Sequence, residues 1–166
     1  MRFVPPYFTA ACALLFSSAF ALALLAEAAP TELPSEPASN GPQWIWAQGK
    51  ATSEAFFEKE FVLSAPPVSA TLKVACDNGC KVIINGKTAA QNEDWNKPTT
   101  ADAKPLLQAG TNKVRVDAKN EGGMAGLVVS IEIALPDGTR RWLQTDGSWM
   151  ASPQASQSMV PAQVLK

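Results

Sequence analysis

Histidine is absent from the 166 residues. That absence removes Ser-His-Asp and Cys-His nucleophile machinery, imidazole metal ligation and any side chain that titrates near neutral pH of its own accord. Charge is scarce too, at 17% of residues, and it is balanced, Lys+Arg 14 against Asp+Glu 15. No basic excess is left to neutralise phosphates, which argues against nucleic-acid binding. Long apolar runs are missing after residue 25, and no stretch carries apolar residues at helical spacing. Cysteine is down to three.

Much of the apolar content sits at the start of the chain. One positive charge, Arg2, precedes the 17-residue apolar run 9–25, and Ala26-Glu27-Ala28 then places small residues where signal peptidase requires them. The pattern reads as a signal peptide over residues 1–28, cleaved before Ala29, and it implies a secreted or periplasmic protein. The alternative is an uncleaved anchor. Its run lies at the lower edge of what spans a bilayer, and Ser17-Ser18 weakens it, so no membrane span is expected after cleavage. Residues 29–42, with four prolines and almost no large apolar side chain, read as a flexible leader. Residues 152–166 have the same character and read as a disordered tail. The expected folded unit is residues 43–151, large enough for one core.

Cys12 leaves with the signal peptide. The remaining pair, Cys76 and Cys80, flanks the turn formers Asp77-Asn78-Gly79. In an oxidising compartment such a close pair is a disulfide candidate, with free thiols as the alternative. Two thiolates with no histidine do not complete a zinc site.

Short β-rich segments separated by turn residues dominate the rest. Residues 57–63, 70–76, 81–84, 113–118, 127–133 and 141–145 carry period-two or continuous apolar patterns. Asn85-Gly86 between two such segments is a strong two-residue hairpin signal, because both residues tolerate positive φ. Pro136-Asp137-Gly138 is a turn in which proline presets φ. Eight or nine short strands with regular turns imply an all-β antiparallel sandwich or barrel.

The order of local signatures is Trp44-Ile45-Trp46, then Phe56-Phe57-Glu58-Lys59-Glu60-Phe61, then Leu72 to Asn78, then Val82-Ile83-Ile84-Asn85-Gly86-Lys87 and a lone Trp95. It continues through Ala109-Gly110-Thr111-Asn112-Lys113-Val114 and Lys119-Asn120-Glu121-Gly122-Gly123 to Asp146-Gly147-Ser148-Trp149. This series resembles the galactose-binding-domain-like jelly rolls of bacterial glycoside hydrolases, such as the N-terminal sandwich modules of α-L-rhamnosidases and the sugar-binding domain of β-galactosidases. The resemblance implies a two-sheet jelly roll without catalytic function, serving carbohydrate recognition or docking to a protein partner in an extracytoplasmic complex. One departure is the aliphatic Ile83 or Ile84 where the family carries an aromatic residue before Asn-Gly.

Sugar recognition needs a flat apolar face and fixed polar groups. Trp95, with Asn92 and Asp94 in the polar loop expected over residues 91–100, offers that mixture, and Asn120 is a further ligand candidate. The competing reading of Trp95 is a side chain folded back to cap the sandwich. Asp77, Asn78 and Asn85 are oxygen donors for a structural calcium of the kind the resemblance implies, with turn formation as the competing role. The carboxylate pairs Glu93-Asp94 and Glu58/Glu60 lack an apolar setting that would raise a pKa, so an enzyme is not expected.

Overall fold

The computed structural model describes residues 30–49 and 52–166. The expected signal peptide, residues 1–28, lies outside them. Two antiparallel sheets stack as a sandwich without closing into a barrel, and no α-helix occurs among the described residues.

Thirteen strands follow in chain order: β1 (Thr31–Glu32), β2 (Ile45–Trp46), β3 (Glu54–Leu63), β4 (Ser69–Asp77), β5 (Gly79–Ile84), β6 (Lys87–Asn92), β7 (Thr99–Asp102), β8 (Gly110–Lys119), β9 (Gly126–Ala134), β10 (Arg140–Gln144), β11 (Met150–Ser152), β12 (Val160–Pro161) and β13 (Gln163–Val164). One sheet has the order β12-β11-β3-β8-β5-β6, with β1 added parallel to the far half of β3; the other has β13-β2-β9-β4-β7, with β10 beside β9.

Alternation places the core. On β3, Ala55, Phe57, Phe61 and Leu63 are buried, and on β8 Val114, Val116 and Ala118 face them across the register Phe57↔Val116. Leu72, Val74, Leu127, Val129, Ile131 and Ile133 supply the facing sheet. Burying each large side chain of this kind stabilises by about 1.5–3 kcal/mol. Trp149 closes the core fully buried, its indole N–H donating to the Gln144 carbonyl at 2.9 Å. Trp46 packs edge-on against Phe57 with ring centroids 5.6 Å apart.

The β5–β6 hairpin forms as its Asn-Gly signal requires, with φ of 49° at Asn85 and 79° at Gly86. Three expectations are corrected. The strand number is thirteen rather than eight or nine, because five strands of two or three residues are too short to show a period. The leader is not loose throughout: β1 pairs with β3, Leu33 is buried, and the Trp142 N–H donates to the Pro34 carbonyl at 3.0 Å. The tail is not disordered: β12 joins one sheet and β13 the other, with Ala162 buried between them. Its polar composition concealed this, since a two-residue strand is held by backbone bonds and needs no apolar side-chain pattern.

Candidate functional site

Three connections meet at one end of the sandwich: residues 77–79, 93–98 and 120–125. They are joined through β5. Cys80 pairs with Asn92 on one side and Ala118 on the other, and a Cβ added at Gly79 would stand 3.4 Å from the Asn92 carbonyl oxygen. The turn before β5 therefore packs against the root of the tryptophan loop. Asn78 reaches the other way, its Oδ1 accepting the Glu121 N–H at 2.7 Å, while the Asn78 N–H donates to the Lys119 carbonyl at 2.8 Å.

β6 runs further than expected, so Asn92 ends a strand instead of standing in a loop. It is 3% exposed and its amide is fully engaged. Oδ1 accepts the Cys76 N–H at 3.0 Å, and Nδ2 faces the Asp94 carbonyl at 3.2 Å, the Lys97 carbonyl at 2.9 Å and Thr99 Oγ1 at 3.2 Å. Asn92 is thus the peg of the loop. Above it, the Lys97 N–H donates to the Asp94 carbonyl at 3.0 Å, closing a turn whose central residues are Trp95 and Asn96. Asp94 braces that turn, with Oδ1 accepting the Asn96 N–H at 2.9 Å and Oδ2 3.4 Å from Lys97 Nζ. Trp95 stands at the crest, 49% exposed. It does not fold back as a buried cap.

Asn120 lies in the neighbouring connection, 6% exposed, with Oδ1 accepting the Gly122 N–H at 3.2 Å. Its role is to shape the glycine-rich turn that displays Met124, 88% exposed. Trp95, Asp94 and Asn120 therefore share one rim, with Trp95 and Met124 as its exposed apolar groups.

The calcium candidates are not brought together. Asp77 and Asn78 precede β5 while Asn85 follows it, so about 20 Å of strand separates them. Asn85 is consumed at the far end: Nδ2 donates to the Leu106 carbonyl at 2.9 Å and to Asn112 Oδ1 at 2.8 Å, and Oδ1 accepts the Lys113 N–H at 2.9 Å. No group of three metal-binding side chains occurs among the described residues.

Cys76 and Cys80 are free and buried, so the expected disulfide is not formed. The intervening turn carries the chain from one sheet to the other, placing Cys76 beside Leu127 and Cys80 beside Ala118, both directed into the core. The Cys76 thiol donates to the Gly79 carbonyl at 3.2 Å. Its hydrogen bond with Cys80, and after that burial, push it well above the ordinary thiol value of 9.0. It is held as a neutral thiol, which is not the nucleophilic form.

Lys59 escaped the sequence reading although its signal was there. It occupies the same strand phase as Ala55, Phe57, Phe61 and Leu63, yet it is only half-buried, and its ammonium donates to Ser148 Oγ at 2.8 Å and the Ser148 carbonyl at 3.3 Å.

No family model and no curated protein matches the chain. Solved structures do. The lectin of Pleurotus ostreatus, in complex with GalNAc, superposes with a TM-score of 0.70 at 24% identity over 81% of this chain and 44% of its own. The α-L-rhamnosidase of Streptomyces avermitilis, complexed with L-rhamnose, gives 0.67 at 22% identity over 74% of this chain and 14% of its own. That of Aspergillus terreus gives 0.62 at 17% identity over 75% and 21%. The chain has the galactose-binding-like β-sandwich fold common to these structures. It spans less than half the length of each of them.

Proposed function

We propose that the chain is an exported, non-enzymatic carbohydrate-binding module that receives a glycan at the Trp95 rim. The supporting observation is an indole half-exposed at the crest of a turn that is itself pinned by a buried asparagine. A rigid aromatic face offered to solvent costs little ordering entropy when a pyranose stacks on it. Glu93, Asn96 and the free face of Asp94 supply hydroxyl partners beside it.

The carboxylates weighed for glycosidic chemistry favour a binding role. Glu58 and Glu60 lie 2.6 and 3.6 Å from Lys113 Nζ, and Asp94 is held by Lys97. Each of these carboxylates is committed to a lysine ammonium on the surface, and none stands in the apolar pocket in which a general acid is built.

Retention on insoluble polysaccharides and on a glycan array tests the reading. The wild-type protein binds at least one carbohydrate, and Trp95→Ala weakens binding by roughly tenfold or more, the loss of about 1–2 kcal/mol of stacking. Equal retention of the two proteins, or none in either, would sink it. Export is proposed from residues 1–28 alone. It predicts a mature chain beginning at Ala29 in the secreted or periplasmic fraction, which N-terminal sequencing reads.

Met124, at 88% exposure beside the same rim, favours a second reading in which this end docks against an extracytoplasmic protein. Crosslinking from residue 124 would capture one defined partner under that reading and only background under the first.

A further inference from the structure

We infer a second ligand site, for an uncharged hexose-sized carbohydrate, in the lateral cleft that the N-terminal segment closes over Lys59. Two strands compete for the outer edge of β3 and leave a gap. β11 pairs with Phe56 to Glu58 and β1 with Phe61 and Val62, so on this edge Lys59 and Glu60 have no strand beside them, β8 lying on the opposite edge. Residues 31–43 arch across this gap to β10, anchored by the Ala38 N–H on Gln144 Oε1 at 2.7 Å and the Gln43 N–H on the Thr145 carbonyl at 2.8 Å. Beneath the arch is a cleft of about 410 Å³, within the ~300–1,000 Å³ usual for small-molecule sites.

Its chemistry is unusual for a sandwich edge. Lys59 takes the core phase of β3 between the buried Phe57 and Phe61, yet its head emerges to polar partners at Ser148, as a long side chain with a charged tip allows. Ser148, which receives that head, also donates its hydroxyl to Asp146. Trp142, half-buried, lines the cleft, as do Glu36 and Gln144. The wall thus offers carboxylate acceptors, ammonium and amide donors, and an indole. A hydroxyl both donates and accepts, so vicinal hydroxyls suit such mixed neighbours, and the C–H face of a sugar ring suits the tryptophan. An anion would meet Glu36 and Asp146, and an apolar ligand would leave all of these groups unpaired.

The site is separate from the rim. Lys59 pairs with Val114, while Asn92 pairs through Cys80 with Ala118. Three strand spacings and four residues of rise put the two roughly 19 Å apart, beyond the span of one ring. The ligand class is shared with the rim reading but none of its residues are.

Titration of the full ¹⁵N-labelled chain with the methyl glycosides of galactose, N-acetylgalactosamine and rhamnose decides the question. At least one of them moves the Trp142 indole and Ser148 amide signals saturably. Glu36→Gln, a change at an exposed position, weakens that response about tenfold, and Lys59→Met abolishes it; Trp95→Ala leaves it intact. Absence of any cleft response at about 50 mM of all three, or a response in Glu36→Gln and Lys59→Met equal to that of the wild type, overturns the site. The Trp95 indole reports the rim in the same spectra, so cleft signals that stay still while it moves overturn the cleft alone, and the converse overturns the rim alone.

Discussion

Asn92 holds the geometry of the rim through a single side chain that bonds Cys76 of β4, Asp94 and Lys97 of the tryptophan loop, and Thr99 at the start of β7. Replacing it with alanine leaves the Cys76 N–H and the Lys97 carbonyl without partners, while the Asp94 carbonyl keeps the Lys97 N–H. Each such buried group costs about 1–3 kcal/mol, so Asn92→Ala is expected to destabilise by roughly 2–4 kcal/mol in urea titration and to weaken glycan retention along with Trp95→Ala. Unchanged stability would show that water replaces the amide. Asn85 is the corresponding residue at the other end, where alanine loses three hydrogen bonds and must adopt a φ of 49°. Glycine loses the bonds but not the conformation, so Asn85→Gly should be the milder change. In the sequence Asn85 stood out as a hairpin turn former and calcium candidate, and Asn92 as a ligand candidate in the polar loop. Their use as internal pegs did not, because a free amide and a committed one look identical until the partner backbone is in place.

At the scale of elements, the last strands test whether the ends belong to the cooperative unit. The Ala162 N–H donates to the Trp149 carbonyl at 2.7 Å and the Leu165 N–H to the Trp44 carbonyl at 2.8 Å, bridging both sheets. Truncation before Val160 should therefore cost roughly 2 kcal/mol and lower Tm by about 6–8 °C in calorimetry. A loosely attached tail would leave Tm unchanged. The same corner explains Gly126, where an added Cβ would stand 2.8 Å from Trp44 Cε3. Gly126→Ala must displace the indole that shields the end of β13, at an expected cost of about 1–3 kcal/mol. The long strands β3, β4, β8 and β9 were legible because alternation over nine or ten residues outweighs chance. A strand of two residues has no period, and β1, β11, β12 and β13 exist only where a neighbour offers an open edge.

For the whole molecule, the lack of histidine predicts a stability plateau across neutral pH. Asp137 is held below the ordinary value of 3.8 by its Thr139 hydrogen bonds, so its contribution is present above that value and fades as pH falls through the folded one. On the alkaline side, Cys76 is raised above 9.0, mainly by its Cys80 hydrogen bond and next by burial; its neutral form is favoured by folding, and that advantage is lost progressively above pH 9. Lys113, raised above 10.5 chiefly by its hydrogen bond to Glu58, adds stability that is complete below 10.5 and lost as pH climbs through its folded value. Urea midpoints should stay flat from about pH 5 to 8 and fall above 9, with Cys76→Ala moving that fall upward. A transition near pH 6 to 7 would contradict this account.

The amino-acid sequence alone determined the all-β class, the alternation of β4 and β8, the Asn-Gly hairpin and the choice of Trp95 as the tryptophan most open to solvent. These are local properties, written in side-chain alternation and in backbone conformations that few residues tolerate. Only tertiary structure decided that Cys76 and Cys80 stay as thiols, that Asn85 is remote from Asp77, and that residues 31–43 arch over a lysine rising from the core. Each of those depends on which strand edges meet, and hydrogen bonds such as Gln43 to Thr145 join residues more than a hundred positions apart, where no local pattern carries the information.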